Sequence, residues 1–69
     1  MYQITITHHT GEERDGRAYT SATDADTEAR LLSQEGFASV SVWNAKGELH
    51  SRWIGGYAAT AEDRHARTV

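Results

Sequence analysis

Four histidines, ten carboxylates, two tryptophans and no cysteine are the residues of this chain that could do chemistry. His8 and His9 are neighbours in a segment of period two, so their side chains leave on opposite faces and do not readily share a metal ion. A site would need one of them to meet His50 across a sheet and to gain a carboxylate, and no ligand spacing supports that. Without cysteine there is neither a thiolate metal site nor a disulfide. No nucleophile elbow, glycine-rich phosphate loop or paired-carboxylate signature occurs. A domain of 69 residues also has little depth for a water-excluded pocket. No catalytic residue, metal ligand or cofactor is assigned, and the chain is expected not to be an enzyme.

The carboxylates are more suggestive. Asp24, Glu28 and Glu35 fall within about 40° of one another on a helix turning 100° per residue, with Leu31 among them. Glu12, Glu13 and Asp15 crowd a second polar segment. Capping and a solvated helix face explain such residues in structural terms. In functional terms they form an acidic surface aimed at a basic groove. Trp43 and Trp53 are core residues on one reading, because the chain has few other large side chains. On another they belong to a contact patch, since Trp is enriched at interface hot spots. Together with Arg52, Ser39 and Ser41 they would also suit a stacking platform for single-stranded nucleic acid. The candidate partner-binding residues are Glu12, Glu13, Asp15, Asp24, Glu28, Leu31, Glu35 and Trp43.

The elements that position these residues are legible in the periodicity. Tyr2, Ile4, Ile6 and His8 alternate with Gln3, Thr5, Thr7 and His9, which predicts a strand with one apolar face. Residues 10–16, TGEERDG, read as a polar loop with turn signals at Gly11 and Asp15-Gly16. RAYTSA follows as a second strand or as an extended connection. A helix is predicted over 24–35, capped by Thr23 or Asp24, with Asp24, Asp26 and Glu28 against the positive end of its dipole. Ala25, Ala29 and Leu32 form its apolar stripe, and Gly36 suits a left-handed position after the last turn.

Phe37–Trp43 and Glu48–Ile54 make a hairpin around Asn44-Ala45-Lys46-Gly47. Two registers are open. With a glycine bulge, Trp43 faces Leu49 and Ser39 faces Trp53, and the tryptophans share a face. With a plain four-residue loop, Val42 faces Leu49 and Ala38 faces Trp53, and they do not. Gly55-Gly56 ends the hairpin. Residues 1–56 form the domain, and 57–69 are a short edge strand or a flexible tail. The order β(β)αββ predicts an α+β fold of two layers, with a mostly antiparallel sheet of three to five strands on one helix.

Composition narrows the partners. There are only three each of Leu, Ile and Val, so six aromatic residues must fill much of the core. A chain this short is stable by tight packing or by association. The net charge of −3 argues against phosphate neutralisation, which wants a basic patch. Nucleic acid is thus an unlikely partner and a basic protein surface a fitting one. No apolar run approaches a membrane span, and MYQITITHH lacks the features of a signal peptide, so a cytoplasmic protein is expected, monomeric rather than homodimeric.

Over residues 2–54 the chain resembles, in size, composition and element order, the small acidic anti-CRISPR proteins of phages and mobile elements, particularly inhibitors of type I systems. No diagnostic motif is shared, so no functional residue carries over. The resemblance implies a stoichiometric inhibitor that docks on a CRISPR surveillance complex where target DNA would bind. SVSVWNAKGELHSRWIGGY is also similar to small bacterial domains of helix-plus-hairpin type, which implies nothing about activity. The second reading of the chain is a small bacterial accessory domain, with a homodimer through a strand edge or the tryptophan face as one form of it. Because His8 and His9 diverge and no thiolate exists, a strong chelator is expected to leave the melting temperature unchanged. A drop of several degrees in a thermal melt would show a structural metal.

Overall fold

A computed structural model describes residues 1–59. Of the edge strand or flexible tail expected at 57–69, residues 60–69 lie outside the described residues. The chain forms β1 (Tyr2–Thr7), β2 (Glu13–Tyr19), α1 (Ala22–Ser33), β3 (Ser39–Trp43), β4 (Leu49–Ile54) and β5 (Tyr57–Ala58). The strands make one antiparallel sheet in the order β2-β1-β3-β4-β5, with α1 packed on one face. The fold is the α+β class expected from the periodicity.

The first hairpin departs from the expected loop. The turn is His8-His9-Thr10-Gly11-Glu12, in which the His8 N–H donates to the Glu12 carbonyl at 2.8 Å and the Gly11 N–H to His8 at 2.9 Å. The second hairpin repeats these bonds at Asn44-Ala45-Lys46-Gly47-Glu48, at 2.9 and 3.0 Å. Gly11 and Gly47 adopt φ 91 and 79, the left-handed position that a type I turn with a glycine bulge demands. Asp15-Gly16 is therefore no turn but lies inside β2. Here β2 is bulged opposite Ile4, between the pairs Gln3–Ala18 and Thr5–Asp15. Gly16 accommodates the close approach, since a Cβ there would sit 3.2 Å from Ile4 Cγ2. The Gln3 side-chain amide holds the bulge through the Gly16 carbonyl at 2.9 Å.

The helix also begins earlier than expected. Ser21, not Thr23 or Asp24, is the N-cap, and its hydroxyl accepts the Asp24 N–H at 3.4 Å. Asp24 is the third helical residue, completing the Ser-x-x-Asp spacing of a capping box. The helix ends at Ser33, with Gln34 as C-cap and Gly36 at φ 98.

Neither expected register of the second hairpin holds over its length. Trp43 pairs with Leu49, as with the glycine bulge, but a second bulge at His50 shifts the rest, so that Val42 pairs with Ser51 and Val40 with Trp53. The tryptophans consequently face opposite ways. Trp53 packs on the core, whereas Trp43 lies on the open face and donates its indole N–H to Thr5 Oγ1 at 2.8 Å.

The core is one layer deep. Ile4, Ile6, Val40 and Val42 of the two central strands meet Ala25 and Ala29 of the helix, with Tyr2, Tyr19, Leu32, Phe37 and Trp53 packed around them. The alanines have no accessible surface, so the helix backbone rides close to the sheet. Leu32, expected to anchor the stripe, is only half-buried and packs against this core from outside it. Ile4→Ala is expected to cost about 2–5 kcal/mol, the range for emptying a well-packed site, and Leu32→Ala distinctly less. Urea denaturation of the two variants checks the ranking; the reverse order would show that the core is misplaced.

Candidate functional site

The structure distributes the eight candidate residues over three places. Asp24, Glu28, Leu31 and Glu35 run along one flank of α1 and its C-terminal turn. The opposite flank carries Asp26, roughly 140–160° away around the helix, and is tied to β4. Glu13 and Asp15 pair with Thr7 and Thr5, which alternate with buried Ile6 and Ile4. Both carboxylates therefore project from the open face of the sheet, away from the helix, and Glu12 lies at the hairpin turn. Trp43 shares the open face. The helix carboxylates and those of residues 12–15 do not make one surface.

The two acidic groups differ in character. β2 is an edge strand, and Arg14 and Arg17 intersperse its carboxylates. Alternating charge with a bulge is how edge strands are kept from pairing with other chains, which accounts for Glu13 and Asp15 structurally. The helix flank has no such account at its C-terminal end. Leu31 is 48% exposed, and Glu35 sits at the negative end of the helix dipole, where a carboxylate is disfavoured. Among the described residues the one contact between a carboxylate and a basic side chain is His50–Asp26, so no described Lys or Arg pairs with Asp24, Glu28 or Glu35.

A polar cluster that periodicity alone did not single out joins the other flank of α1 to β4. The Ser51 hydroxyl donates to Asp26 Oδ1 at 2.6 Å, His50 Nε2 donates to Oδ2 at 3.3 Å, and the Trp53 indole N–H donates to Ser51 Oγ at 3.1 Å. The bulge makes this possible by turning consecutive residues His50 and Ser51 towards the same side. Tyr2 packs edge-on against His50, with centroids 5.2 Å apart. Serine, histidine and aspartate in contact invite comparison with a catalytic triad, but the order is wrong. The carboxylate stands between the other two, whereas nucleophilic catalysis needs the imidazole between serine and acid. Ser51 is also buried, with its hydroxyl spent on Asp26. The cluster is a clasp between helix and sheet.

Beside it, Thr23, Asp26, Thr27, Arg30 and Trp53 line a cleft of about 270 Å³. Met1, Tyr2, Asn44, Ala45, Lys46 and Glu48 line a second of about 240 Å³ at the other hairpin. Both fall below the roughly 300–1,000 Å³ of small-molecule pockets. No group of three or more His, Cys, Asp or Glu side chains among the described residues is arranged to hold a metal ion, and no helix among them is long and apolar enough to cross a membrane. Comparison with protein-family models, curated proteins and solved structures gives no match.

Asp26→Ala strands the buried Ser51 hydroxyl and frees His50. A stability loss of about 1–3 kcal/mol is expected, the cost of an unsatisfied buried polar group, readable as a lower urea midpoint at constant slope. Ser51→Ala together with Asp26→Ala should cost less than the sum of the single changes, because the two share one bond. Strict additivity would mean that the clasp is not coupled.

Proposed function

We propose that the protein is a non-enzymatic binding module that docks through the acidic flank of α1 on a basic groove of a protein partner. The observation that carries this reading is Leu31. It is half exposed and stands among three carboxylates that no described cation neutralises. An apolar anchor rimmed by polar groups is the usual anatomy of a protein interface, and nearby charge of one sign steers a basic partner on approach. The absence of support for Glu35 from helix electrostatics points the same way, since that carboxylate sits where it does nothing for the helix.

In its most specific form the partner is a type I CRISPR surveillance complex in the host bacterial cytoplasm. The groove is then the one that receives target DNA, and the protein acts by occupying it. Overall acidity, small size and element order support this form. A direct nucleic-acid role fits less well. On the open face, Trp43 is half-buried with its indole N–H held by Thr5, and the Arg52 Nε–H is held by Ser41, so the indole is not presented as a stacking platform and a single cation is on offer.

Charge reversal at Glu28 and Glu35 to Lys is expected to slow association by about tenfold or more at low salt, with a stability change of about 0.5 kcal/mol or less. Asp24 is left intact because it completes the helix cap. The measurement is association rate on type I surveillance complexes against ionic strength, together with target-DNA binding by those complexes. An unaffected complex would reject the anti-CRISPR form. An arginine-rich peptide, followed by amide chemical shifts, tests the flank itself. Shifts spread evenly over the molecule, rather than gathered at residues 24–35, would reject the acidic-flank reading.

A further inference from the structure

The open face of the sheet is patterned along its cross-strand rows. One row runs Asp15–Thr5–Ser41–Arg52 through three successive register pairs. An anion stands at one end and a cation at the other, three strand spacings or about 14 Å apart. The neighbouring row ends in the apolar pair Trp43–Leu49, which lies level with Gln3 and Ala18. We infer that this face is the interface of a homodimer, formed by stacking the open faces of two copies about a two-fold axis that runs along the strands between β1 and β3.

That axis follows from the strand order. Rotation about it lays β4 of one copy over β2 of the other and β3 over β1, keeping each row at its own height. Arg52 then lies above Asp15 of the second copy, and Asp15 below the second Arg52, as the reciprocity of an isologous contact requires. Leu49 lies over Ala18 and Trp43 over Gln3. Face-to-face sheets stand about 10 Å apart, a gap that an arginine and an aspartate span together. The hydroxyls at the centre are already engaged, since Thr5 Oγ1 accepts from Trp43 at 2.8 Å and Ser41 Oγ accepts from the Arg52 Nε–H at 3.1 Å. Covering them strands no acceptor. A core of six buried apolar residues gives a chain of this length reason to gain a second layer. The dimer leaves both helices outward, so it adds to the proposed docking flank rather than competing with it, and it departs from the monomer expected from the sequence.

Sedimentation equilibrium over a concentration series tests it. The parent should reach twice 7.7 kDa reversibly. Asp15→Arg should raise the dissociation constant about tenfold or more by placing like charges together, and Arg52→Asp should do the same. The double variant recreates the pair with its sign reversed, and should return to within about threefold of the parent, far closer than independent sites would allow. Asp15 is exposed and its side chain has no described hydrogen-bond partner, so Asp15→Arg separates association from folding. A circular-dichroism melt checks Arg52→Asp, which gives up the bond to Ser41. A parent that stays monomeric near 1 mM overturns the proposal. So does an Asp15→Arg variant that dimerises as well as the parent, or a double variant no better than the singles.

Discussion

The close seat of α1 on β1 and β3 is the constraint on which the rest of the molecule depends. Ala25 and Ala29 reach zero exposure against Ile4, Ile6, Val40 and Val42. Small helix residues let the backbone approach, and the branched residues on the strands fill the gap. Little else in the chain could do this, because long aliphatic side chains are few. The aromatic rim of Tyr2, Tyr19, Phe37 and Trp53 then closes the sides of a core that is only one layer thick.

Holding the helix there leaves its flanks with separate tasks. One is fastened by Asp26 to Ser51 and His50. The other is unfastened and carries Asp24, Glu28, Leu31 and Glu35. Had Asp26 been free, it would stand one helical turn before Arg30 and could pair with it. Its oxygens are occupied instead by β4. The clasp thus decides which face of the helix is committed to the fold and which is left facing solvent.

Two bulges decide the faces of the sheet. The bulge at Gly16 keeps Asp15 and Glu13 on the open side while Arg14 and Tyr19 follow the helix side. The bulge at His50 sends Trp53 to the core and leaves Trp43 outside. Each inserts a single residue, and each changes which side chains face away from the helix. A sheet without them would put both tryptophans on one face and would lose the Asp26 clasp.

The sequence by itself determined the class of fold, four of the six buried apolar positions and the side of the helix on which Asp24 and Glu28 stand. Those features rest on periodicity, which repeats over many residues and survives small errors of boundary. Ile4, Ile6, Ala25 and Ala29 were legible as core in this way, and the alignment of Asp24 and Glu28 follows from helical geometry alone, whereas Glu35 lies beyond the C-cap Gln34. The first turn carried a signal too: His8-His9-Thr10-Gly11-Glu12 shares its Gly-Glu ending with Asn44-Ala45-Lys46-Gly47-Glu48. Histidine, however, lacks the side-chain oxygen with which Asn44 marks the second turn by accepting from the Lys46 and Glu48 amides. Likewise Ser21 and Asp24 held the spacing of a cap that lay one turn ahead of the apolar stripe. Only the tertiary structure decided the strand order, the two bulges and the separation of the acidic groups. A bulge has no periodic signature, because it is the point where period two breaks, and its position is chosen by contacts with distant residues. Gly16 yields to Ile4, and His50 turns to reach Asp26, across twelve and twenty-four residues of chain respectively.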